Sequence, residues 1–421
     1  MCHHHRNPMY CILPPYMSDK LGELLGEEKQ EARSNERFRE KRRSLAAIAP
    51  ATRVFKIAGD PPKTKLHREL YDAHESPMQI GELIWKEGQK KLPASADAKR
   101  VIEGAGNVWS FYKKLFNRNS IDNKGMAILQ NIRYRENKFK PFFNAFWDGE
   151  QMFYGTGSPK YTNSFTTDLD IIGHELIHGV IDFEAALNYE NQSGALNESY
   201  ADVFGILIKQ WVNKTPARKA NWLIGENILK GPNALRSMKA PGTAYKKDAV
   251  FGDDPQPGIM KDFVKLPNTE DGDCGGVHYN SGIPNHAFYI AAYELDGNAW
   301  EKAGAIWYAA LQDKRLLKKD ADFTAAASAT LKKATSLFGK GSAEVKAVEK
   351  GWKETGVIYA FFFTNQLFII QVNNLKSSHT FKWYANNTYS IGRHCRQKID
   401  NFLKYYTHIQ GVGIVAWCYK N

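Results

Sequence analysis

Apolar positions along the chain change their period from one region to the next. From Thr52 to Tyr161 they fall in short β-type runs, Val54–Ile57, Gln79–Trp85 and Ala127–Tyr134, rich in β-branched and aromatic residues. One stretch interrupts them: between Asp97 and Phe116 apolar residues recur at Val101, Ala105, Val108, Trp109, Tyr112 and Phe116, which predicts a helix closed at Asn119-Ser120. Residues Asn144 to Gly149 predict a turn between Phe143 and the run Met152-Phe153-Tyr154. Beyond Asp170 the pattern is helical, through Asp170–Gly179 and again through Gly194–Leu207.

Both ends depart from this regularity. Residues 1–50 open with a Cys-, His- and Pro-rich segment and continue through Cys11-Ile12-Leu13-Pro14-Pro15-Tyr16-Met17, where paired prolines predict an extended backbone. From Lys20 to Arg43 follows a charged helical stretch anchored by Leu21, Leu24, Leu25 and Phe38 alone, too few to fold without support. Residues 358–421 begin with an aromatic run and are rich in Tyr, Asn and Lys, with no recognisable motif. A short β-rich appendage, a partner-binding segment and an irregular product of the gene's 3′ end all suit them.

Size and composition narrow the class. With 421 residues, 43% of them hydrophobic, the chain can bury a large core and form two or more domains. It contains no run of 18 apolar residues, so no membrane span is expected, and its start lacks the apolar segment of a secretory signal. That predicts a protein either cytoplasmic or exported by a route needing no such signal. Five cysteines stand at 2, 11, 274, 395 and 418, leaving the central body without an internal disulfide. The net charge of +12 suggests nucleic acid only until it is divided. Residues 358–421 carry seven Lys and Arg against one Asp, and residues 1–50 nine against seven acidic groups, which leaves the body at +4 and no nucleic-acid partner expected.

The chemistry concentrates in His174-Glu175-Leu176-Ile177-His178. Four residues apart on a helix, His174 and His178 share one face about 6 Å apart along the axis, within reach of one tetrahedral zinc ion. Glu175 points to the flank, where a carboxylate can meet water without becoming a ligand. Twenty residues past His178 comes Glu198, with Asp202 one helical turn further on the same face. Two acids on an apolar helix face call for positive charge, with Glu198 as third ligand and Asp202 as the acceptor that orients a ligating His.

With these motifs the chain resembles the thermolysin-like zinc metalloproteases from about Arg68 to Val357, in Asn144–Trp147, His174–His178, Gly194–Glu198, Leu235–Met238 and Gly275–Gly282. Its short leader with Pro14-Pro15 resembles the protealysin branch. The resemblance implies an α+β, two-lobed zincin with a β-rich lobe (51–185), a helical lobe (186–357) and the active-site helix between them. Residues 1–50 would be a propeptide covering the cleft, processed near Ala46–Ala51, and 358–421 an extension. It implies a monomeric zinc endopeptidase acting on proteins or peptides. In it His174, His178 and Glu198 hold zinc, Glu175 activates the water, and Tyr189 and His278 stabilise the oxyanion, with Asp273 orienting His278. Asn144, the Ala145 backbone and Arg236 would hold substrate main chain. Phe165, Ile171, Ile224 and Leu235 would line an apolar pocket, giving cleavage before Leu, Ile, Phe or Val.

Two positions depart from the family pattern. Lys209 stands where a further carboxylate would help Asp170 and Glu226 bind paired calcium ions, so its ammonium is expected to replace that Ca2+ charge. Cys274 replaces the usual Asn and brings a thiol close to the site, where it is open to oxidation.

Overall fold

The computed structural model describes residues 10–24, 65–77, 80–135, 142–269, 271–363, 366–373 and 413–418. The expected strand Val54–Ile57, the terminal His run and the processing segment Ala46–Ala51 lie outside them.

Six strands form one sheet in the order β1-β5-β6-β4-β2-β3: β1 Tyr10–Cys11, β2 Arg68–Asp72, β3 Glu82–Lys86, β4 Ile128–Tyr134, β5 Ala145–Trp147 and β6 Gln151–Gly155. β4 runs parallel to both β2 and β6, and the other pairs are antiparallel. Flanked on both edges, β4 is buried almost throughout, and its interior polar residues are satisfied by side-chain hydrogen bonds, Gln130 to the Val101 carbonyl and Asn131 to Gln151. Between β3 and β4 lies helix α2, Ala96–Phe116, whose first turn is capped by Ser95 and whose C-cap is Asn117 in the left-handed region, two residues before the expected stop.

Two readings of the sequence need correction. Ala145–Trp147 is not part of a turn; it is strand β5, paired with β6 through a tight connection in which the Asp148 side chain accepts the amides of Glu150 and Gln151. Pro15 does not prolong an extended segment but begins helix α1, Pro15–Leu24, at the position where a missing N–H costs nothing. α1 buries Met17 and Leu21.

The active-site helix α3, Leu169–Phe183, is buried on every side from Asp170 to Ile181, so it carries no solvent-facing polar stripe. It packs against α4, Asn191–Asn213, at two glycines. A Cβ on Gly173 would lie 3.1 Å from the Gly205 Cα, and one on Gly205 only 2.5 Å from the Asp170 carbonyl oxygen. This contact brings the acidic face of α4 onto the histidines of α3.

The helical lobe continues with α5 Asp273–Asn280, α6 Gly282–Leu295, α7 Ala303–Gln312, α8 Phe323–Phe338 and α9 Ala343–Glu354. α8 and α9 start on capping side chains, Asp322 and Ser342. A short hairpin, β7 Leu223–Ile224 with β8 Arg236–Ser237, sits beside the cleft. Three later strands, β9 Ile358–Phe363, β10 Gln366–Asn373 and β11 Gly413–Cys418, form an antiparallel sheet of their own. No described helix is long and apolar enough to cross a membrane.

Candidate active site

His174, His178 and Glu198 converge in the interior, all three fully buried and with their ligand atoms within 4.8 Å of one another. The separations are 3.1 Å between the two Nε2 atoms, 3.3 Å from His174 Nε2 to Glu198 Oε2, and 3.6 Å from His178 Nε2 to Glu198 Oε1. A tetrahedron with arms of about 2 Å, the usual Zn–N and Zn–O length, has edges of about 3.3 Å. The donor set therefore fits zinc. Glu198 Oε2 meets no hydrogen-bond donor, as suits an oxygen whose partner is a cation.

Each imidazole is oriented through its other nitrogen. His174 Nδ1 lies 2.8 Å from Asp202 Oδ1 and His178 Nδ1 2.8 Å from Asn197 Oδ1, so both Nδ1 atoms donate and both Nε2 lone pairs face the centre. Asn197 was not singled out in the sequence. The available signal was a second polar residue, beside Glu198, on a helix buried all round. Burial works against charge on His174, yet Asp202 and Glu198 outweigh it and lift its pKa to about 9, a measure of how strongly this spot favours positive charge. His178, pushed by burial to about 3, stays neutral.

Asp202 is also held from behind. Arg236 donates to it from Nε at 3.0 Å and Nη2 at 2.7 Å, and Asn285, also unanticipated, donates Nδ2 at 2.8 Å. Burial would raise its pKa, but Arg236 and His174 keep it near 2.

Glu175 is wholly buried, and neither carboxylate oxygen has a hydrogen-bond partner. Burial pushes its pKa well up. The amides of Ile12 and Trp147 favour its charged form while falling short of hydrogen-bond geometry. Across the site His278 Nδ1 contacts Asp273 Oδ1 at 2.6 Å, and the His278 amide donates to Asp273 Oδ2 at 2.7 Å. Burial disfavours its charge, but Asp273 and Glu198 prevail and raise its pKa to about 9. Tyr189 donates its hydroxyl to Glu198 and lies 3.2 Å from His278 Nε2.

His278 is placed by an unusual backbone. Asp273, Cys274, Gly275 and Gly276 all have positive φ, and a Cβ on Gly275 would come within 2.4 Å of Asn191 Oδ1. Cys274 carries a side chain in this region, at φ 48°. Left-handed backbone costs a non-glycine residue about 1–2 kcal/mol, less for Asn. Cys274→Asn is therefore expected to stabilise the protein by about 0.5–1 kcal/mol, seen as a higher denaturant midpoint. An unchanged or lower midpoint would remove the strain argument.

The expected pocket residues Phe165, Ile171, Ile224 and Leu235 are all buried in one cluster. Leu235 and Ile171 side chains meet around Gly225, and the β7–β8 hairpin sets Ile224 opposite Arg236. The leader runs through this cleft. β1 pairs with the edge strand β5, Cys11 opposite Phe146. His278 Nε2 donates to the Cys11 carbonyl at 2.8 Å and Arg236 Nη1 to the Ile12 carbonyl at 3.0 Å. Asn144 accepts the Leu13 amide at 3.0 Å and donates to its carbonyl at 3.3 Å. Ala145 lies next in β5, opposite Tyr154.

In the first turn of α3, Lys209 Nζ joins Asp170 Oδ2 at 3.0 Å to Glu226 Oε2 at 2.6 Å. Both carboxylates hold its pKa up against burial.

Two histidines of a His-Glu-x-x-His helix joined by a glutamate from the next helix, between a β-rich and a helical lobe, define a metallopeptidase of the zincin class. The chain belongs to the thermolysin metallopeptidase family: residues 63–182 match its catalytic domain and residues 185–357 its alpha-helical domain. It is a metalloendopeptidase. Its sequence is 47% identical to Protease PrtS of Photorhabdus sp. (strain Az29) over 300 residues, 69% of this chain and 76% of that protein. It is 42% identical to an extracellular metalloprotease of Pectobacterium carotovorum subsp. carotovorum over 301 residues, 70% of this chain and 82% of that one. The precursor of protealysin, a metalloproteinase from Serratia proteamaculans, matches its structure with a TM-score of 0.69 and 40% identity, covering 83% of this chain and 99% of that one.

Proposed function

We propose that this protein is a zinc endopeptidase made as a proenzyme, cutting peptides before bulky hydrophobic residues. The observation that carries the reading is Glu175, buried, unpaired and next to the cluster of His174, His178 and Glu198. Zinc held by these three would supply Lewis acidity toward water and the substrate carbonyl. Glu175, whose pKa burial pushes up, takes a proton from the attacking water and returns it to the leaving amine. His278, charged because Asp273 faces it, and the Tyr189 hydroxyl donate to the developing oxyanion. Arg236 and Asn144 hold the main chain, and the pocket of Phe165, Ile171, Ile224 and Leu235 takes the side chain after the cut bond. The leader in the cleft supports the proenzyme reading.

Incubation of the processed protein with a blocked peptide containing Gly-Leu should yield internal cleavage before Leu, lost with a zinc chelator and restored by zinc. Products released only from the free N-terminus would instead indicate an aminopeptidase.

Lys209 in this reading replaces a calcium ion. A calcium-selective chelator should leave activity and melting temperature unchanged. Lys209→Met, which strands the buried Asp170 without its cation, should cost about 3–5 kcal/mol in denaturant unfolding. Loss of activity with the chelator alone would sink this assignment.

A further inference from the structure

The leader does more than fill the cleft. Its direction is set by which atoms meet which donors. Three consecutive carbonyls, those of Cys11, Ile12 and Leu13, face His278, Arg236 and Asn144 in turn, and the Leu13 amide faces the Asn144 carbonyl oxygen. A chain laid the opposite way would turn amides toward the two cations. A plug needs no such direction and no carbonyl at an oxyanion donor. Moreover, the Cys11 carbonyl oxygen sits on His278 and the Ile12 carbonyl oxygen on Arg236, so the Cys11–Ile12 bond lies between the two cations that flank the cluster. Ile12 has no exposed surface and lies in the same packed cluster as Phe165, Ile171, Ile224 and Leu235.

We propose that Tyr10–Leu13 is held in the direction and register of a substrate, and that the metal-loaded chain cuts its own Cys11–Ile12 bond. The inference rests on the function proposed above and adds the particular bond. Water adds its oxygen to the Cys11 carbonyl carbon, the bond to the Ile12 nitrogen breaks, and both water protons end on that nitrogen, one of them carried by Glu175. The products are a Cys11 carboxylate and an Ile12 ammonium, with no oxidant or reductant involved. Residues 1–11 then keep the two-residue ladder on β5, the contact with His278 and the packing of Cys11 against the cluster of Phe142, Phe146 and Phe153. Residues from Ile12 onward keep Arg236, Asn144 and the buried face of α1.

The test uses the full chain, purified under chelator, as wild type, Glu175→Gln and Ile12→Asp. Zinc is added over a tenfold range of protein concentration and the products are weighed by mass spectrometry, with the blocked Gly-Leu peptide assayed in parallel. We expect a fragment of residues 1–11 that forms at a rate independent of concentration, is missing from Glu175→Gln, and is missing from Ile12→Asp. A second readout needs no turnover. In metal-free Glu175→Gln, hydrogen exchange across residues 10–17 should be at least 100-fold slower than in the free peptide, and adding Ile12→Asp should speed it at least tenfold. Hydrolysis of the blocked peptide while residues 1–11 remain attached would overturn the inference and leave the proposed function standing. Failure of both cuts in zinc-loaded chain would overturn the function itself. Fast exchange across residues 10–17 would overturn the register.

Discussion

Glu175→Gln is expected to lower turnover of a blocked peptide by about 10²–10⁴-fold, the range associated with a positioned general base. The substitution keeps the side chain's shape, so the buried helix around it should not collapse, and it touches none of the three ligand residues. Zinc content by elemental analysis and the denaturant midpoint should therefore match wild type. This combination separates chemistry from structure. A loss of less than tenfold with zinc retained would mean that the proton is handled elsewhere, and a loss of zinc would mean that Glu175 supports the ligands.

The second large effect is expected at Arg236. Its guanidinium joins two functions, since it holds Asp202 through two hydrogen bonds and also takes the carbonyl of the residue after the bond presented for cleavage, here Ile12. Arg236→Met leaves Asp202 charged, buried and short of its cation, which should cost about 3–5 kcal/mol. Because Asp202 orients His174, zinc affinity should also fall by about 10–100-fold, measured by competition with a chelating dye. Substrate KM should rise as well. Arg236→Lys, a point charge in place of a fork, should restore part of the stability but less of the binding. Wild-type stability and zinc affinity in Arg236→Met would contradict the coupling.

The parts of the site that could be read from the sequence are those written on one helix. His174, Glu175 and His178 follow from helical spacing, and Glu198 with Asp202 from acids placed on an apolar face. Asn197 and Asn285 escaped because their partners, His178 and Asp202, come from other helices, and a lone Asn gives no sign of what it will meet. Strand β5 was misread because Asn-Ala-Phe-Trp-Asp-Gly contains good turn residues. Its three residues are extended because β6 pairs with one edge and the leader with the other, neither of which is local information. The early helix start at Pro15 was ambiguous in principle, since proline suits both an extended segment and a first helical turn.

The glycines of α3 and α4 have a consequence for how this centre can be tuned. Two ligands stand on one helix and the third on the other, so the spacing of the helix axes is a ruler for the metal polyhedron. Its length is set by two absent methyl groups at Gly173 and Gly205. Metal preference can therefore be altered from outside the coordination sphere: a single added methyl at this crossing would stretch the ligand triangle without replacing any atom that binds.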